Sequence, residues 1–206
     1  MSRSTIRLAC LAALLTLAVS PALAIDLGGH DRDGTVLGLT LGYGWNSIEY
    51  NDSDGSAVKM SNIETFSGGF RVGWASSDHL IVSLGMYGWK KSYYTPYYLS
   101  SSATEYHFML EAYWFPLGEG FWIKGGIGRG TLDFYGQAVD PRDNLVFNEK
   151  GWTLGTGAGY EFRVSDGAAI GLCWDYFHLP IGDYGALTDI KTDSHAISLN
   201  LHFYMN

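Results

Sequence analysis

Apolar residues alternate one for one with small or polar residues in eight segments of the chain. In the first segment, glycine and threonine residues separate Leu37, Leu39, Leu41, Tyr43 and Trp45. Successive side chains of a β-strand point to opposite faces, so this pattern predicts a strand with one apolar face and one small, polar face. A closed sheet is the only β-structure that satisfies its backbone hydrogen bonds in lipid. The pattern therefore favours a barrel embedded in a membrane.

The eight predicted strands all show this alternation. They cover residues 37–46, 63–75, 80–90, 105–115, 121–133, 151–164, 168–177 and 195–204. Short turns follow the second, fourth and sixth strands, whereas longer polar segments follow the other strands, at 51–62, 91–104, 134–150 and 178–194. An even number of strands, with short periplasmic turns and long external loops, is typical of bacterial membrane barrels. The predicted fold is all-β, an eight-stranded antiparallel up-and-down transmembrane β-barrel.

The first 24 residues have the features of a cleaved signal peptide. Two arginines, Arg3 and Arg7, precede the apolar stretch 8–18, and the small-residue motif Ala22-Leu23-Ala24 follows it as a cleavage site. This apolar stretch is shorter than the roughly 20 residues that a membrane-spanning helix needs. We therefore expect residues 1–24 to be removed and residues 25–206 to form the barrel domain of an exported protein.

Composition narrows the class of partner. The chain has a net charge of −8 and a mean hydropathy of zero. An acidic chain is a poor candidate for nucleic-acid binding, which depends on basic patches. A mean hydropathy of zero is expected for a membrane barrel, because about half of its residues face inward. We therefore expect no nucleic-acid partner.

Outward aromatic residues cluster near the ends of the predicted strands. Such rings favour the headgroup level of a membrane, so two belts are expected. The belt near the long loops contains Trp45, Tyr106, Trp152, Trp174 and Tyr176, and the belt near the short turns contains Trp74, Trp114, Phe121, Phe162 and Phe203.

Charged residues on the inward faces are the strongest candidates for special chemistry. They are Arg71, Glu111, Lys124, Glu161, Arg163, Asp175 and His202. If the turn at Pro116 places Phe115 opposite Gly120, then Glu111 lies opposite Lys124, and opposite charges at such a position attract. We interpret the set as a salt-bridge network that closes the lumen, because eight strands leave room only for side chains. A proton or ion path is the alternative.

The chain resembles the eight-stranded outer-membrane barrel group that includes the OmpA transmembrane domain and the OmpX and Ail type proteins. The resemblance covers the chain after the signal and rests on the strand rhythm, the glycine-alternating segments 37–45 and 153–162, and the last strand, 197–203. It implies a location in the bacterial outer membrane. It also implies that the assembly machinery reads an aromatic residue at the carboxyl terminus, where this chain has Phe203 and Tyr204 followed by Met205 and Asn206.

Motifs for catalysis, cofactors and metals are not found in the sequence. The glycine-rich segment 155–159 continues as a strand instead of leading into a helix, so it does not form a phosphate loop, and its glycines are expected to make room on the inner wall. His195 and Ser198 fall on opposite faces of one strand and cannot act together. The acidic segments 52–55 and 140–143 lack the ligand set of a calcium loop. Residues 30–34 are interpreted as a turn.

These observations predict a monomeric outer-membrane protein with a structural or surface-interaction role. Its partners would be outer-membrane lipid and lipopolysaccharide, contacted through four external loops. The tyrosine- and serine-rich segment 92–102 is either a contact surface or an extension of the outer aromatic belt. Alternatives are a lipid-modifying enzyme, a small-solute pore and a soluble lipocalin-like carrier, although the last of these needs an apolar interior.

Overall fold

The computed structural model describes residues 32–52, 54–93, 100–118, 120–137, 145–185 and 187–205. Their eight strands form one closed antiparallel barrel, in which each strand pairs with its neighbours in sequence and the last pairs with the first. This confirms the predicted fold class. The strands are β1 (Gly34–Asn51), β2 (Ala57–Ser77), β3 (Leu80–Tyr93), β4 (Ser100–Trp114), β5 (Phe121–Gln137), β6 (Leu145–Ser165), β7 (Ala168–Tyr184) and β8 (Leu187–Met205). The predicted signal peptide lies outside the described residues.

The apolar side chains of the wall point outward, as the alternation predicts. Leu39, Phe70 and Leu199 are 50%, 48% and 37% exposed, whereas Arg71 and Glu161 are each 3% exposed. This is the reverse of a soluble carrier, which keeps its apolar face inside. No helix in the described part of the chain is long and apolar enough to cross a membrane.

The strands extend well beyond the predicted limits at the end with the long connections. Tyr50 pairs with Val58, and Pro180 pairs with Lys191, inside segments that the sequence assigns to loops. The prediction of long loops there was wrong for two connections: residues 52–56 join β1 to β2, and residues 185–186 join β7 to β8. The other two connections, at 94–99 and 138–144, lie outside the described residues.

The strand extensions differ in polarity from the membrane part of the wall. Their residues still alternate, but the inner face is apolar and the outer face is charged. Ile48 and Leu179 are buried inside, whereas Glu49 and Lys59 face outward. An apolar inner face and a charged outer face are expected wherever a barrel wall meets water instead of lipid.

The lumen is filled by successive layers along the barrel axis. Near the short turns lies an apolar layer, which is followed by a charged layer and then by the buried trio Tyr87, Met109 and Phe177. The end with the long connections is closed by the outer cap, an apolar cluster of Ile48, Ile63, Trp89, Ala103, Leu132, Phe134 and Leu179. The layer near the short turns contains Val36, Ala75, Ile81, Tyr113, Phe115, Trp122, Ala169, Cys173 and Tyr204.

Candidate functional site in the lumen and at the outer rim

Lys124 on β5 is the centre of the charged layer. Its Nζ lies 2.8 Å from Oε1 of Glu111 and 2.9 Å from Oδ1 of Asp175, and all three side chains are buried. The same Nζ lies 4.5 Å from the ring centroid of Tyr87, whose hydroxyl donates a hydrogen bond to Glu111. Two carboxylates therefore surround one cation in a site that water does not reach.

The register that the sequence suggested for this pair is wrong. Tyr113 lies opposite Lys124, and Glu111 lies opposite Gly126, so the ladder is shifted by two residues from the predicted one. Phe115 leaves the ladder because its N–H donates to the carbonyl of His79 at 2.9 Å, while its ring is buried in the barrel mouth. Glu111 and Lys124 still meet, since long side chains reach diagonal neighbours on a sheet face.

Arg71 on β2 is another buried cation in the lumen. Its guanidinium donates to the hydroxyl of Tyr113, to Oδ1 of Asn200 and, at 3.1 Å, to Oγ1 of Thr40. Gly38 lies directly opposite Arg71, and a β-carbon placed on Gly38 would overlap the arginine side chain. The predicted role of the inner-wall glycines is confirmed at Gly159, where an added β-carbon would overlap the indole of Trp122.

Glu161 on β6 contacts both sides of the seam at which the barrel closes. Its Oε1 accepts hydrogen bonds from Nη2 of Arg32 at 3.0 Å and from the hydroxyl of Tyr204 at 2.8 Å. Its Oε2 lies 2.6 Å from Nδ1 of His202. Arg32 precedes β1, whereas His202 and Tyr204 belong to β8, so one carboxylate ties together the two strands that close the barrel.

Sequence reasoning missed Arg32 because it lies in a segment that was interpreted as a turn. The side chain is only 3% exposed, and its guanidinium lies 3.9 Å from the ring centroid of Phe115. Nη1 also donates to the carbonyls of Asp78 and Gly118 at 3.0 and 2.7 Å. Arg32 thereby closes the mouth of the barrel at the short turns. Local pattern carried no signal for this, since its partners come from three distant parts of the chain.

Arg163 lies at the edge of the predicted network and not within it. It is half-buried, its guanidinium is stacked 4.0 Å from the ring centroid of Tyr204, and its Nη1 donates to the carbonyl of Asp166. Among the described residues it forms no ion pair with Glu161. Its contact with the network is through the ring of Tyr204.

A second polar cluster lies between the charged layer and the outer cap. Glu105 and His107 on β4 are in contact, with Oε1 2.6 Å from Nε2, and both are almost fully buried. Ser194 donates to the same Oε1 at 2.9 Å and accepts from the indole of Trp89 at 3.0 Å. Alternation along β4 predicts that both side chains point inward, because Glu105 and His107 share the face of Glu111, although neither is among the predicted network residues.

His107 also touches Thr153, whose Oγ1 lies 3.1 Å from its Nδ1. A hydroxyl, an imidazole and a carboxylate in line are the parts of a nucleophilic site. Here Thr153, His107 and Glu105 are at most 1% exposed, and the ring of Phe177 stacks on His107 at 4.7 Å. The three side chains are therefore enclosed by the barrel, where they contact one another instead of solvent.

The buried histidines His107 and His202 differ in whether their carboxylate partner also has an arginine. Within the described part of the chain, the buried cations are Arg32, Arg71 and Lys124, and the buried carboxylates are Glu105, Glu111, Glu161 and Asp175. Burial of an uncompensated charge is costly, so each carboxylate requires a partner. Glu105 is the carboxylate whose ion-pair partner is a histidine alone, whereas Glu161 has Arg32 as well as His202.

The predicted outer belt includes a stack of rings on the barrel wall. Trp45, His195 and Tyr176 lie on one rung across β1, β8 and β7. The rings of Trp45 and His195 are parallel within 9°, with centroids 5.6 Å apart, and His195 also packs on Trp174 and Tyr176. His195 therefore belongs to this aromatic group, although it is not among the residues predicted for the belt.

The other predicted belt residues also lie on the outer wall. On the side of the long connections, Tyr106 and Trp152 are 49% and 59% exposed. On the side of the short turns, Trp74 and Trp114 are 57% and 53% exposed, while Phe162 is half-buried against Tyr160. The remaining two residues of that belt, Phe121 and Phe203, are 40% and 43% exposed.

Most of the tyrosine- and serine-rich segment 92–102 cannot be assigned a role, because residues 94–99 lie outside the described residues. Among the residues that are described, no group of three or more His, Cys, Asp or Glu side chains is placed to hold a metal ion.

Comparison with known proteins supports the architecture. The sequence matches the family model described as outer membrane protein beta-barrel domain over residues 9–203. No curated protein matches the chain in sequence. Among solved structures, Ail of Yersinia pestis is 15% identical, with 83% of this chain and 99% of that chain covered, at a TM-score of 0.55. The outer membrane protein AlkL, solved in lipid bilayers, is 12% identical, with 87% and 93% covered, at a TM-score of 0.50.

At these identities the two structures are alike in fold alone. The family match, by contrast, extends from before β1 into β8. The chain therefore belongs to the outer membrane protein beta-barrel domain family and is a protein of the bacterial outer membrane.

Proposed function

We propose that this protein is a non-conducting surface protein, whose filled barrel anchors a rim that contacts lipopolysaccharide and the surroundings of the cell. The observation that carries the proposal is the pair of seals across the lumen. The outer cap is built around Trp89, Leu132 and Leu179, which are at most 5% exposed. Arg32 and Phe115 fill the opposite mouth.

The charged layer supports the absence of conduction. An ion that entered the lumen would have to displace Lys124 from Glu111 and Asp175, which are buried with it. Breaking such a contact is strongly unfavourable, on the order of 3 to 5 kcal/mol. The apolar outer cap adds a second barrier, because it offers an ion no polar group in exchange for water.

The extended strands support a role for the rim. Asn51 lies six residues beyond Trp45 on β1, a distance of about 20 Å along a strand at roughly 3.3 Å per residue. Backbone pairing continues through this extension, up to Asn51 and Ala57. A paired wall of this kind presents side chains on a rigid support, which favours contact with a partner.

Single-channel recording on the refolded protein tests the first part of the proposal. A planar bilayer containing the protein is expected to show no discrete conductance steps, whereas a porin in the same bilayer shows them. Steps that appear in proportion to the amount of folded protein would overturn the proposal in favour of the pore or ion path. Heat-dependent mobility on a denaturing gel confirms that the barrel is folded.

Lipid analysis tests the enzyme alternative. Cells with and without the gene are expected to have the same lipid A acyl chains by mass spectrometry. A reproducible change that the Thr153→Val variant abolishes would overturn the non-catalytic assignment. Valine keeps the shape of threonine and removes only the hydroxyl that contacts His107.

Native mass spectrometry tests the contact with lipopolysaccharide. Folded protein released from vesicles that contain phospholipid and lipopolysaccharide is expected to retain lipopolysaccharide in preference to phospholipid. Retention in proportion to the vesicle composition would show that the barrel has no preference and would contradict the proposed role.

A further inference from the structure

The outer wall carries a composite patch where β1, β2, β7 and β8 leave the membrane. We define the rim patch as Trp45, Ser47, Glu49, Lys59, Trp174, Tyr176, His178, Lys191, Asp193 and His195. Its members lie on successive rungs of paired strands. Trp45, His195 and Tyr176 form the lowest rung, followed by Ser47, Asp193 and His178, and then by Glu49 and Lys191.

The lowest rung is an aromatic platform. The ring of His195 lies between the rings of Trp45 and Tyr176, with centroid distances of 5.6 and 4.8 Å. Trp174 stacks on Tyr176, with an angle of 10° between the two ring planes. The platform continues the apolar wall, since Ile197 lies one rung below His195 on the same face and is 51% exposed. It therefore lies at the level of the lipid headgroups.

The middle rung supplies hydrogen-bonding groups. Oδ1 of Asp193 accepts from the hydroxyl of Tyr176 at 2.6 Å and lies 2.8 Å from Nδ1 of His178. These contacts hold the carboxylate in place beside the platform. A fixed carboxylate next to aromatic faces is suited to sugar hydroxyls, which donate to the one while the ring carbons pack on the other.

The upper rung has more positive than negative charge. Lys59 and Lys191 both contact the carboxylate of Glu49, the second at 3.2 Å. Their side chains are 60% and 45% exposed, whereas that of Glu49 is 25% exposed. An ammonium group has three N–H donors, so these contacts leave donors on both lysines for an anionic ligand.

Two open depressions lie along these rungs and meet at Lys59. The lower one has a volume of about 420 Å³ and is lined by Ser47, Lys59, Trp174, Tyr176, Asp193 and His195. The upper one has a volume of about 550 Å³, and its lining includes Glu49, Lys59, Asp189 and Lys191.

We propose that the rim patch binds the phosphorylated sugar headgroup of a lipopolysaccharide molecule in the outer leaflet. The inference rests on the proposed function and assigns its contact with lipopolysaccharide to one place on the barrel. The aromatic platform packs against the sugar, Asp193 accepts from its hydroxyls, and Lys59 and Lys191 bind the phosphate. Because the rim patch lies on the outer face of the wall at headgroup height, a glycolipid reaches it without leaving the leaflet, at high local concentration.

The test compares two charge-matched variants of the whole barrel. Lys59→Gln/Lys191→Gln removes both cations of the patch. Lys90→Gln/Lys150→Gln removes two exposed lysines from β3 and β6, away from the patch. Each protein is reconstituted in phospholipid nanodiscs and titrated with rough lipopolysaccharide that carries its phosphates.

We expect the patch variant to bind at least fivefold more weakly than the wild type and the control variant to bind within twofold of it. Dephosphorylated lipopolysaccharide is expected to bind wild type and patch variant with equal affinity. Raising the ionic strength from 0.05 to about 0.5 M should reduce the difference, because exposed charges are screened. Equal losses in the two variants would overturn the placement of the site.

A further pair of variants tests the platform. Trp45→Leu keeps an apolar side chain toward lipid but removes the stacking surface, and Trp152→Leu makes the same change on the wall of β6. Only the first is expected to weaken binding, by threefold or more. If wild type binds no lipopolysaccharide at all, the proposed contact itself fails. If wild type binds and every variant binds equally, only the rim patch is excluded.

Discussion

Arg32 and Glu161 form a buried ion pair, with Nη2 and Oε1 3.0 Å apart, that links the residues preceding β1 to β6. The same carboxylate holds His202 of β8, so the seam between the first and last strands is tied at the end of the barrel where the predicted short turns lie. A barrel has no free sheet edge only as long as this seam stays paired. The ion pair therefore stabilises the seam between β1 and β8, where the barrel closes.

Replacing Arg32 by Gln should destabilise the barrel. The change leaves Glu161 without its arginine, and we expect the free energy of unfolding to fall by about 3 kcal/mol. Urea titration of the refolded protein in micelles measures the effect. Arg163→Gln is the control, with an expected loss of less than about 1 kcal/mol, because that side chain is half-buried at the edge of the network. Similar losses in the two variants would show that Arg32 has no special role.

Replacing Lys124 by Met should be more damaging than the same change at an exposed lysine. Glu111 and Asp175 would then be buried near each other without a cation, at a cost of about 3 to 5 kcal/mol. Lys90→Met on the outer wall serves as the control. Adding Glu111→Gln and Asp175→Asn to Lys124→Met should restore more than half of the lost stability. Failure of this rescue would mean that packing, and not charge, explains the loss.

Two Gly→Ala substitutions should have opposite effects. At Gly38 the new methyl group would overlap Arg71 and displace its guanidinium, which costs about 1 to 3 kcal/mol. At Gly125 no atom lies within 4 Å of the added carbon, so the loss of chain entropy in the unfolded state should stabilise the barrel by up to about 1 kcal/mol. Unfolding midpoints in urea distinguish the two cases, and a loss at both sites would contradict the space argument.

Glu49 should titrate at unusually low pH. It lies four residues beyond Trp45, outside the membrane, where hydrogen bonds from Lys59 and Lys191 lower the pKa of its carboxyl below 4.5. Because the pKa is lowered in the folded state, the pairing contributes stability above the ordinary pKa and loses it as pH falls through the lowered value. Carbon-detected NMR of the Glu49 carboxyl measures the shift.

The variant Lys59→Gln/Lys191→Gln should bring the pKa of Glu49 back toward 4.5, and high salt should act in the same direction. The control variant Lys90→Gln/Lys150→Gln should leave the pKa of Glu49 unchanged. An unshifted carboxyl in the wild type would show that the lysines do not hold it in solution.

Strand alternation was sufficient to predict the membrane part of the wall. The side chains of Leu39 and Phe70 point outward, as the period of two requires, and those of Arg71 and Glu161 point inward. This information is local, because each side chain's face depends only on its position within its own strand. The same alternation predicted the number of strands.

Side-chain alternation could not predict the contacts between segments that are distant along the chain. The partners Arg32 and Glu161 are 129 residues apart, and nothing near Arg32 marks it as buried. The register of β4 against β5 depends on Phe115, which leaves the ladder to pack in the barrel mouth. The strand extensions at the rim were not predicted because their polarity is the reverse of that in the membrane part, with Ile48 inside and Glu49 outside.

The sequence by itself therefore determined the number of strands, their facing and their membrane setting, since all three follow from side-chain alternation along a strand. Only the tertiary structure decided which charges meet, where the strands end and how the lumen is sealed. The physical reason is that a closed sheet brings remote side chains into one narrow, water-free space. There the partner of each buried charge is chosen by register and packing, and not by neighbours along the chain.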